Sequence, residues 1–182
     1  MKKTTLRMAG SGGLLAMLVA TWLTACGNAT NTVPAAKPEI DPVRGHLTHA
    51  QPRLPTLKVW LGREELVAEI ATQPVQIATG MMFRTNMAEN EAMLFVFDAP
   101  APKNFYMRNC TVPLSAAYIE PDGTIAEIVD LQPGDEVGVQ SKTGNLQFVL
   151  EVPQGWFSRH QVSTGTVVRT ERGSLRETFF RR

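Results

Sequence analysis

Cysteine is scarce in this chain of 182 residues, which has only two, Cys26 and Cys110. Two distant cysteines cannot build the disulfide framework that stabilises many small exported domains. They also exclude metal sites made from paired cysteines, because such sites need closely spaced thiolates. A folded domain in this chain must therefore be stabilised by an ordinary hydrophobic core, and the sequence predicts no metal site.

Several signatures of catalysis and of nucleic-acid binding are missing as well. The sequence has no glycine-rich phosphate loop, no Gly-x-Ser-x-Gly elbow and no His-Glu-x-x-His motif. Three of the 18 basic residues precede residue 26, which leaves 15 basic against 17 acidic residues in the rest of the chain. Without a basic surplus we expect no nucleic-acid partner. No cofactor is predicted either.

Residues 1–25 have the pattern of an export signal. Three basic residues precede an apolar run at 14–23, the usual order in a signal peptide. That run is much shorter than the roughly 20 apolar residues of a transmembrane helix. It ends in Leu23-Thr24-Ala25-Cys26, which resembles the lipobox of bacterial lipoproteins. The resemblance implies cleavage before Cys26 and acylation of this cysteine with palmitate or a similar chain.

A lipidated Cys26 makes the lipid bilayer the first expected partner. More than one acyl chain is what makes lipid anchoring stable rather than marginal. Gly27 follows the cysteine, where lipoproteins retained at the inner membrane carry an aspartate. The resemblance therefore implies a location in the bacterial cell envelope, anchored in the outer membrane and facing the periplasm.

Residues 26–56 are predicted to be the lipidated cysteine and a proline-rich tether. The segment has almost no large apolar residue, and its prolines are Pro34, Pro38, Pro42, Pro52 and Pro55. Such a composition buries too little surface to offset the chain entropy of folding. His46 and His49 form a His-x-x-His pair here, but no helix is predicted that would place both rings on one face, so we expect no metal ligand.

Residues 57–170 are predicted to form one domain, mainly β with one or two short helices. Strands are predicted at 57–61, 66–70, 93–97, 114–119, 124–131, 146–152 and 166–170, and short helices at 74–79 and 156–160. Pro121-Asp122-Gly123 predicts a hairpin turn. Many short strands favour a small closed or nearly closed β-barrel-like fold. Residues 171–182 are left as a basic C-terminal tail.

Five short blocks of this domain resemble, in order, a known family. The blocks are Gly80 to Arg84, Met93 to Phe97, Phe105 to Leu114, Ile119 to Gly123 and Val149 to Val152. They are similar to the domain of unknown function 192, and the similarity covers about 57–168. The resemblance implies a compact, mostly β domain whose biochemical role is not established. Cys110 stands where the family commonly has threonine, and Ser115 where it often has aspartate.

Polar residues inside these apolar blocks are the candidate site. They are Arg84, Tyr106, Arg108, Asn109 and Glu151. A buried charge without a partner costs several kcal/mol, so these groups should pair with one another or face water. One interpretation is a structural ion pair of Glu151 with Arg84 or Arg108. Another is a pocket for a small anionic or hydroxylated ligand, with Tyr106 or Trp156 as its apolar wall, and a third is a catalytic carboxylate at Glu151.

Cys110 and His160 are weaker candidates for chemistry. A nucleophilic cysteine needs a neighbouring base or an electropositive setting, and the sequence identifies neither beside Cys110. We therefore interpret Cys110 as a small buried apolar residue. His160 has no evident partner and is interpreted as a solvated side chain.

Three functions remain open from the sequence. The favoured hypothesis is a ligand-binding or accessory module of the cell envelope. The first alternative is an envelope hydrolase that uses Glu151. The second is a structural partner of another envelope protein. An enzyme needs a second titratable group beside Glu151, whereas a binding module needs a cleft with convergent polar groups.

Overall fold

The computed structural model describes residues 39–181. The predicted signal peptide, the lipobox with Cys26, and residues 27–38 of the tether lie outside the described residues. Across the described part, the three helices have six residues or fewer, and none is long and apolar enough to cross a membrane.

The domain is mainly β, as predicted. Its strands are β1 Thr56–Leu61, β2 Glu64–Ala71, β3 Glu91–Ala101, β4 Asn104–Phe105, β5 Leu114–Ile119, β6 Ile125–Leu131, β7 Val139–Gln140, β8 Leu146–Pro153, β9 Val168–Thr170 and β10 Gly173–Ser174. The helices are α1 Pro74–Thr79, α2 Trp156–Arg159 and α3 Leu175–Phe180. Eight strands form one sheet in the order β10-β9-β1-β2-β3-β8-β5-β6, and β4 pairs with β7 separately.

The predicted local signals explain most of these elements. β1 and β2 form an antiparallel hairpin across Gly62-Arg63, where Gly62 has a φ of 64° that favours glycine. The Pro121-Asp122-Gly123 turn is confirmed, and its Asp122 carboxylate accepts from the Thr124 N–H at 2.9 Å. Helix α1 has the expected proline in its first turn. Its capping residue is Gln73, through a reciprocal pair with Gln76.

The sheet curls around one face but does not close by continuous pairing. Strand β6 is at one end of the strand order, and β9 is next to the other end. Ile125 of β6 and Val168 of β9 nevertheless belong to the same buried cluster inside the curl. A single antiparallel bridge, Thr124 to Val167, links these two ends. The mainly β fold is therefore confirmed, but the large sheet is not closed into a barrel.

A second buried cluster covers the outer face of the same sheet. Strands β2 and β3 are parallel, so the chain must cross over between them. This crossover, residues 72–90, contains α1 and the Met81-Met82 pair, which belong to the outer cluster. On β3, Leu94 points into the curl while Met93 and Phe95 point outward, as alternation along a strand requires. The outer face is where the cavity described below lies.

The second half of the predicted tether packs on the domain, which corrects the expectation that 26–56 carries no core residues. His46, Leu47 and Gln51 are buried. The Leu47 N–H donates to Thr79 Oγ1 at 2.9 Å, and Gln51 Nε2 donates to the Gly80 carbonyl at 2.8 Å. Polar side chains make most of these contacts, so the segment docks without an apolar pattern in its sequence.

The predicted tail is also part of the fold. Strand β10 pairs with β9, and α3 follows directly after it. Leu175 is fully buried, while Phe179 and Phe180 pack against the inner cluster. Ser174 caps α3 through its hydroxyl, which accepts from the Glu177 N–H. The domain thus extends beyond residue 170 to the end of α3.

Candidate functional site

A cavity of about 330 Å³ opens on the outer face of the sheet. One wall is the crossover from Ile77 to Met82, and the opposite wall is the segment from Pro102 to Tyr106. The floor is formed by the strand residues Phe95 and Glu151, with Cys110 beside them. Apolar residues outnumber polar ones in the lining, and the polar or charged ones include Lys103, Asn104 and Glu151. A mixture of this kind is common in small-molecule sites.

Glu151 is the buried acid of this cavity. It lies on β8 and is only 4% exposed. Its Oε2 has no hydrogen-bond partner among the described residues. Burial raises the pKa of Glu151 to about 8, because a carboxylate loses its hydration without gaining a counter-ion. At neutral pH burial therefore favours the protonated carboxyl, which can both donate and accept a hydrogen bond.

Glu69 provides an internal comparison for Glu151. Both residues pair in register with Met93, Glu69 from β2 and Glu151 from β8, so both side chains share the outer face. The two α-carbons are separated by two strand spacings, roughly 9–10 Å. Each residue is 4% exposed. The sheet thus buries two carboxyl groups equally, on either side of one methionine.

The two carboxyl groups differ in their partners. The Glu69 carboxylate accepts from both terminal nitrogens of Arg84, from Arg53 Nη1 at 2.7 Å and from the Leu54 N–H at 2.8 Å. Burial opposes ionisation of Glu69, but these hydrogen bonds outweigh it and lower the pKa. Glu69 thus forms a structural ion pair with Arg84. No basic side chain of the described residues forms an ion pair with Glu151.

The predicted ion pair of Glu151 with Arg84 or Arg108 is therefore wrong. Arg84 is committed to Glu69. Arg108 pairs with Glu136 in the loop before β7. The crossover brings Arg84 next to β2, while the turn after β4 directs Arg108 toward that loop. Neither arginine lines the cavity.

Asn109 lies outside a regular strand, between β4 and β5. It has a φ of 55°, a left-handed conformation that asparagine tolerates better than most residues. Its carbonyl accepts from the Phe83 N–H at 2.8 Å, and its amide lies 4.0 Å from the Met82 sulfur. Asn109 therefore holds the crossover in place from outside the cavity, through its backbone carbonyl rather than through an amide bonded to loop backbone.

Of the five candidate residues, Tyr106 and Glu151 line the same cavity. Trp156, the alternative wall, is buried in the inner cluster and stacks on His160 instead. His160 is not a free solvated ring, because Nδ1 lies 2.9 Å from Glu64 Oε2 and Nε2 lies 3.2 Å from Glu89 Oε1. This surface group is separate from the cavity.

Cys110 is buried, in agreement with its interpretation as a small apolar residue. Burial, with a contribution from the charge of Glu151, raises the pKa of its thiol to about 12. The thiol form lacks the reactivity of a thiolate. Cys110 thus contributes surface to the cavity rather than a nucleophile.

Lys103 is a cavity residue that the sequence did not reveal. It is 7% exposed, and its Nζ lies 3.9 Å from the centroid of the Phe97 ring. Burial lowers its pKa, and the described residues supply no carboxylate partner. It follows a short run of Asp, Ala and Pro residues in the sequence, which has no periodicity that would mark Lys103 as buried.

No metal centre is found within residues 39–181, where no group of three or more His, Cys, Asp or Glu could hold an ion. His46 and His49 do not act as a pair. The Nδ1 of His46 contacts the Leu47 carbonyl, and the Nδ1 of His49 contacts the Ala50 carbonyl.

Comparison with known proteins places the domain in a family. The model of the domain of unknown function 192, described as an uncharacterised ACR, matches residues 58–170. A solved structure from Sinorhizobium meliloti 1021, described as a candidate transcription regulator, is 31% identical, with a TM-score of 0.63 over 66% of this chain and 98% of that one.

A protein of unknown function from Novosphingobium aromaticivorans DSM 12444 is 28% identical, with a TM-score of 0.57. The match covers 74% of this chain and 94% of that one. No curated protein matches the chain. Because the family match spans more than half of the residues, the chain belongs to the domain of unknown function 192 family.

Proposed function

We propose that this protein is a lipid-anchored module of the bacterial cell envelope that binds a small molecule in the outer-face cavity. One observation carries the binding function, the fully buried Glu151 carboxyl whose Oε2 has no partner. Burying such a group costs about 1–3 kcal/mol in stability. A ligand that hydrogen-bonds to the Glu151 carboxyl group from the cavity offsets that cost, so the cavity is suited to a molecule with an apolar body and a polar head.

Binding explains the cavity better than hydrolysis does. General acid–base catalysis usually needs a second group that exchanges protons with the first. Among the described residues, Glu151 is the only carboxyl residue in the cavity lining, which has no histidine. The other lining residue with a shifted basic pKa, Lys103, has its Nζ over Phe97, whereas Glu151 is in register with Met93, so the two groups do not form an acid–base pair. The Cys110 thiol, with its raised pKa, is a poor nucleophile. A site that holds one neutral carboxyl in an apolar chamber is better suited to recognition than to bond cleavage.

The envelope location rests on the N-terminal sequence. The export pattern and the Leu23-Thr24-Ala25-Cys26 lipobox support acylation at Cys26. The docked segment from residue 39 leaves 12 residues, 27–38, between Cys26 and the domain. Fully extended, that length reaches roughly 40 Å. The proposed ligand is thus taken up close to the membrane surface, on its periplasmic side.

The binding proposal can be tested with methyl-labelled methionine. Met81 and Met82 line the cavity, so their methyl NMR signals report its occupancy. The full-length protein, solubilised in dodecyl maltoside, is titrated with isoamyl alcohol and isoamylamine, which combine an apolar body with one polar head. We expect saturable shifts of both methyl signals.

Two substitutions on the same helix provide the contrast. Ala78 lines the cavity, so Ala78→Phe should fill it. Val75 does not line the cavity, so Val75→Phe is the control. We expect Ala78→Phe to abolish the saturable shifts and Val75→Phe to retain them. If neither probe gives a saturable shift in the parent protein, or if both variants respond alike, the binding proposal fails.

A further inference from the structure

Lys103 is a buried lysine on the wall of the cavity. It is 7% exposed, and lysine is almost never buried to this degree without a partner. The described residues provide no carboxylate for its side chain, and burial lowers its pKa. The protein therefore removes this amine from water without giving it a counter-ion, which favours the neutral form.

The Lys103 side chain is held in place from both of its ends. The Lys103 N–H donates to Ser141 Oγ at 3.0 Å, and the Lys103 carbonyl accepts from the Ser141 N–H at 2.8 Å. At the other end, Nζ lies 3.9 Å from the centroid of the Phe97 ring, which also lines the cavity. An aromatic face is a weaker partner for an amine than a carboxylate is. These contacts position Nζ beside the cavity without forming a hydrogen bond to it.

The nitrogen of Lys103 is not sealed inside the protein. Among the described residues, the fully enclosed side-chain atoms without a hydrogen-bond partner are His46 Nε2, Glu151 Oε2 and Gln154 Nε2. Lys103 Nζ is not one of them, so it keeps some exposure although most of the side chain is buried. A lysine amine that is desolvated and yet accessible is the form that attacks carbonyl compounds.

We propose, resting on the cavity as a binding site, that Lys103 forms a Schiff base with a small aliphatic aldehyde bound there. The neutral amine attacks the carbonyl carbon with its lone pair, and the π electrons of the C=O bond move to the oxygen. A proton passes from nitrogen to that oxygen and gives a carbinolamine. The hydroxyl group then leaves with the second nitrogen proton as water, and a C=N bond remains. One amine and one aldehyde give one imine and one water, so no oxidant or reductant is needed.

The size and lining of the cavity agree with an aliphatic aldehyde. Its volume of about 330 Å³ is at the lower end of the roughly 300–1,000 Å³ range of ligand pockets. The side chains around it include Met81, Met82 and Phe105. Methionine adapts its shape to linear and branched apolar groups. Isovaleraldehyde, with its short branched body, is therefore a suitable probe.

An aldehyde suits Lys103 better than a carboxylate ligand does. Carboxylates are usually held by several donors, often a bidentate arginine, and among the described residues no arginine and no second lysine lines the cavity. The Asn104 amide, also in the lining, donates to the Val137 carbonyl. Burying a carboxylate beside a lone ammonium requires desolvation of two charges, whereas a neutral amine and an aldehyde bring none.

The reaction does not depend on Glu151. That residue is in register with Met93, whereas Lys103 Nζ lies over Phe97, four residues further along the same strand. The inference therefore stands on Lys103 and the cavity alone.

Reductive trapping tests the inference on the full-length protein in dodecyl maltoside at pH 7. Sodium cyanoborohydride converts a Schiff base with isovaleraldehyde into a stable isopentyl-lysine, which peptide mass spectrometry locates. The exposed lysines Lys58 and Lys142 are internal references. We expect Lys103 to be labelled at least about tenfold faster than either, because more of its amine is neutral. Its rate should saturate with aldehyde concentration, since binding precedes reaction, whereas the reference rates should rise linearly.

Matched variants assign the label to the residue and to the cavity. Lys103→Arg keeps a cation beside Phe97 but cannot form the imine, so it should lose the fast label, whereas Lys142→Arg should retain it. Ala78→Phe, which fills the cavity, should slow the labelling of Lys103 and leave Lys142 unchanged. Val75→Phe should react like the parent.

The outcomes separate this inference from the general binding proposal. If isoamyl alcohol shifts the methionine methyl signals but Lys103 reacts no faster than the references, the Schiff base is wrong and the cavity remains a binding site. Fast labelling that neither saturates nor slows in Ala78→Phe would also overturn the inference. If no aldehyde is trapped, and isovalerate shifts the methyl signals of the parent but not of Lys103→Met, the lysine pairs with an anion instead. If no probe binds or is trapped, both proposals fail.

Discussion

Individual residues show how similar sequence features lead to different roles in this protein. Glu69 and Glu151 are both glutamates in apolar strands, equally buried and in register with Met93. Glu69 receives Arg84 and Arg53, whereas Glu151 faces an open chamber. A buried carboxyl without a cation is destabilising, so its presence beside a cavity is typical of a group retained for binding.

The two glutamates should give opposite pH dependences of stability. The pKa of Glu151 is raised from 4.5 to about 8, so its contribution is fully present below pH 4.5 and is lost as pH rises through 8. The pKa of Glu69 is lowered. Its contribution is present above pH 4.5 and is lost as pH falls through its folded-state pKa.

This prediction is tested by urea unfolding of Glu151→Gln and Glu69→Gln between pH 3 and 9. Relative to the parent, Glu151→Gln should gain stability between pH 4.5 and 8, by an amount on the order of a few kcal/mol. Glu69→Gln should lose stability most strongly near neutral pH, because it leaves Arg84 without its carboxylate. Parallel pH profiles for the two variants and the parent would contradict the assignment.

At the scale of elements, local patterns predicted the strands well because alternation and turn chemistry act over a few residues. The hairpin at Gly62, the buried strand at Met93 and the turn at Gly123 all follow from such signals. The ion-pair partners of the arginines could not be predicted from these local signals, because the partners depend on which strands are neighbours in the sheet. The partner of Arg84 is set by the β2–β3 crossover, a long-range feature that no local pattern encodes.

The ends of the domain were missed for a related reason. Residues 39–55 dock largely through polar contacts, such as those of Gln51 with Gly80 and of Arg53 with Glu69, and such contacts leave no hydrophobic signal in the sequence. At the other end, the basic composition after residue 169 obscured the apolar residues of α3, Leu175, Phe179 and Phe180. Their composition predicted that both ends of the domain would be exposed to solvent. In the structure both ends pack on the domain through specific contacts.

Truncation tests the role of the docked segment. A chain that starts at residue 39 should unfold at the same urea concentration as the chain without its signal peptide. A chain that starts at residue 57 loses buried Leu47 and the hydrogen bonds of Gln51 and Arg53. We expect it to be less stable by about 2 kcal/mol or more. Equal midpoints for both truncated chains would show that the segment adds no stability.

For the whole molecule, the docked segment connects the N-terminal part of the chain to the wall of the cavity. Leu47 and Gln51 hydrogen-bond to Thr79 and Gly80, and both of these residues line the cavity wall. The described part of this segment therefore packs against the wall of the cavity. If the anchor is lipidated as proposed, the cavity lies within reach of the bilayer surface rather than at the end of a long tether.

The two cysteines allow the anchor to be tested within one protein. In a Gram-negative host grown with labelled palmitate, the parent should incorporate label and fractionate with the outer membrane. Cys26→Ala should abolish labelling, since the lipobox requires its cysteine. Cys110→Ala is the matched control, because Cys110 is buried in the domain with a thiol pKa of about 12 and should leave labelling unchanged. Labelling that persists in Cys26→Ala, or that disappears only in Cys110→Ala, would overturn the proposed envelope anchor.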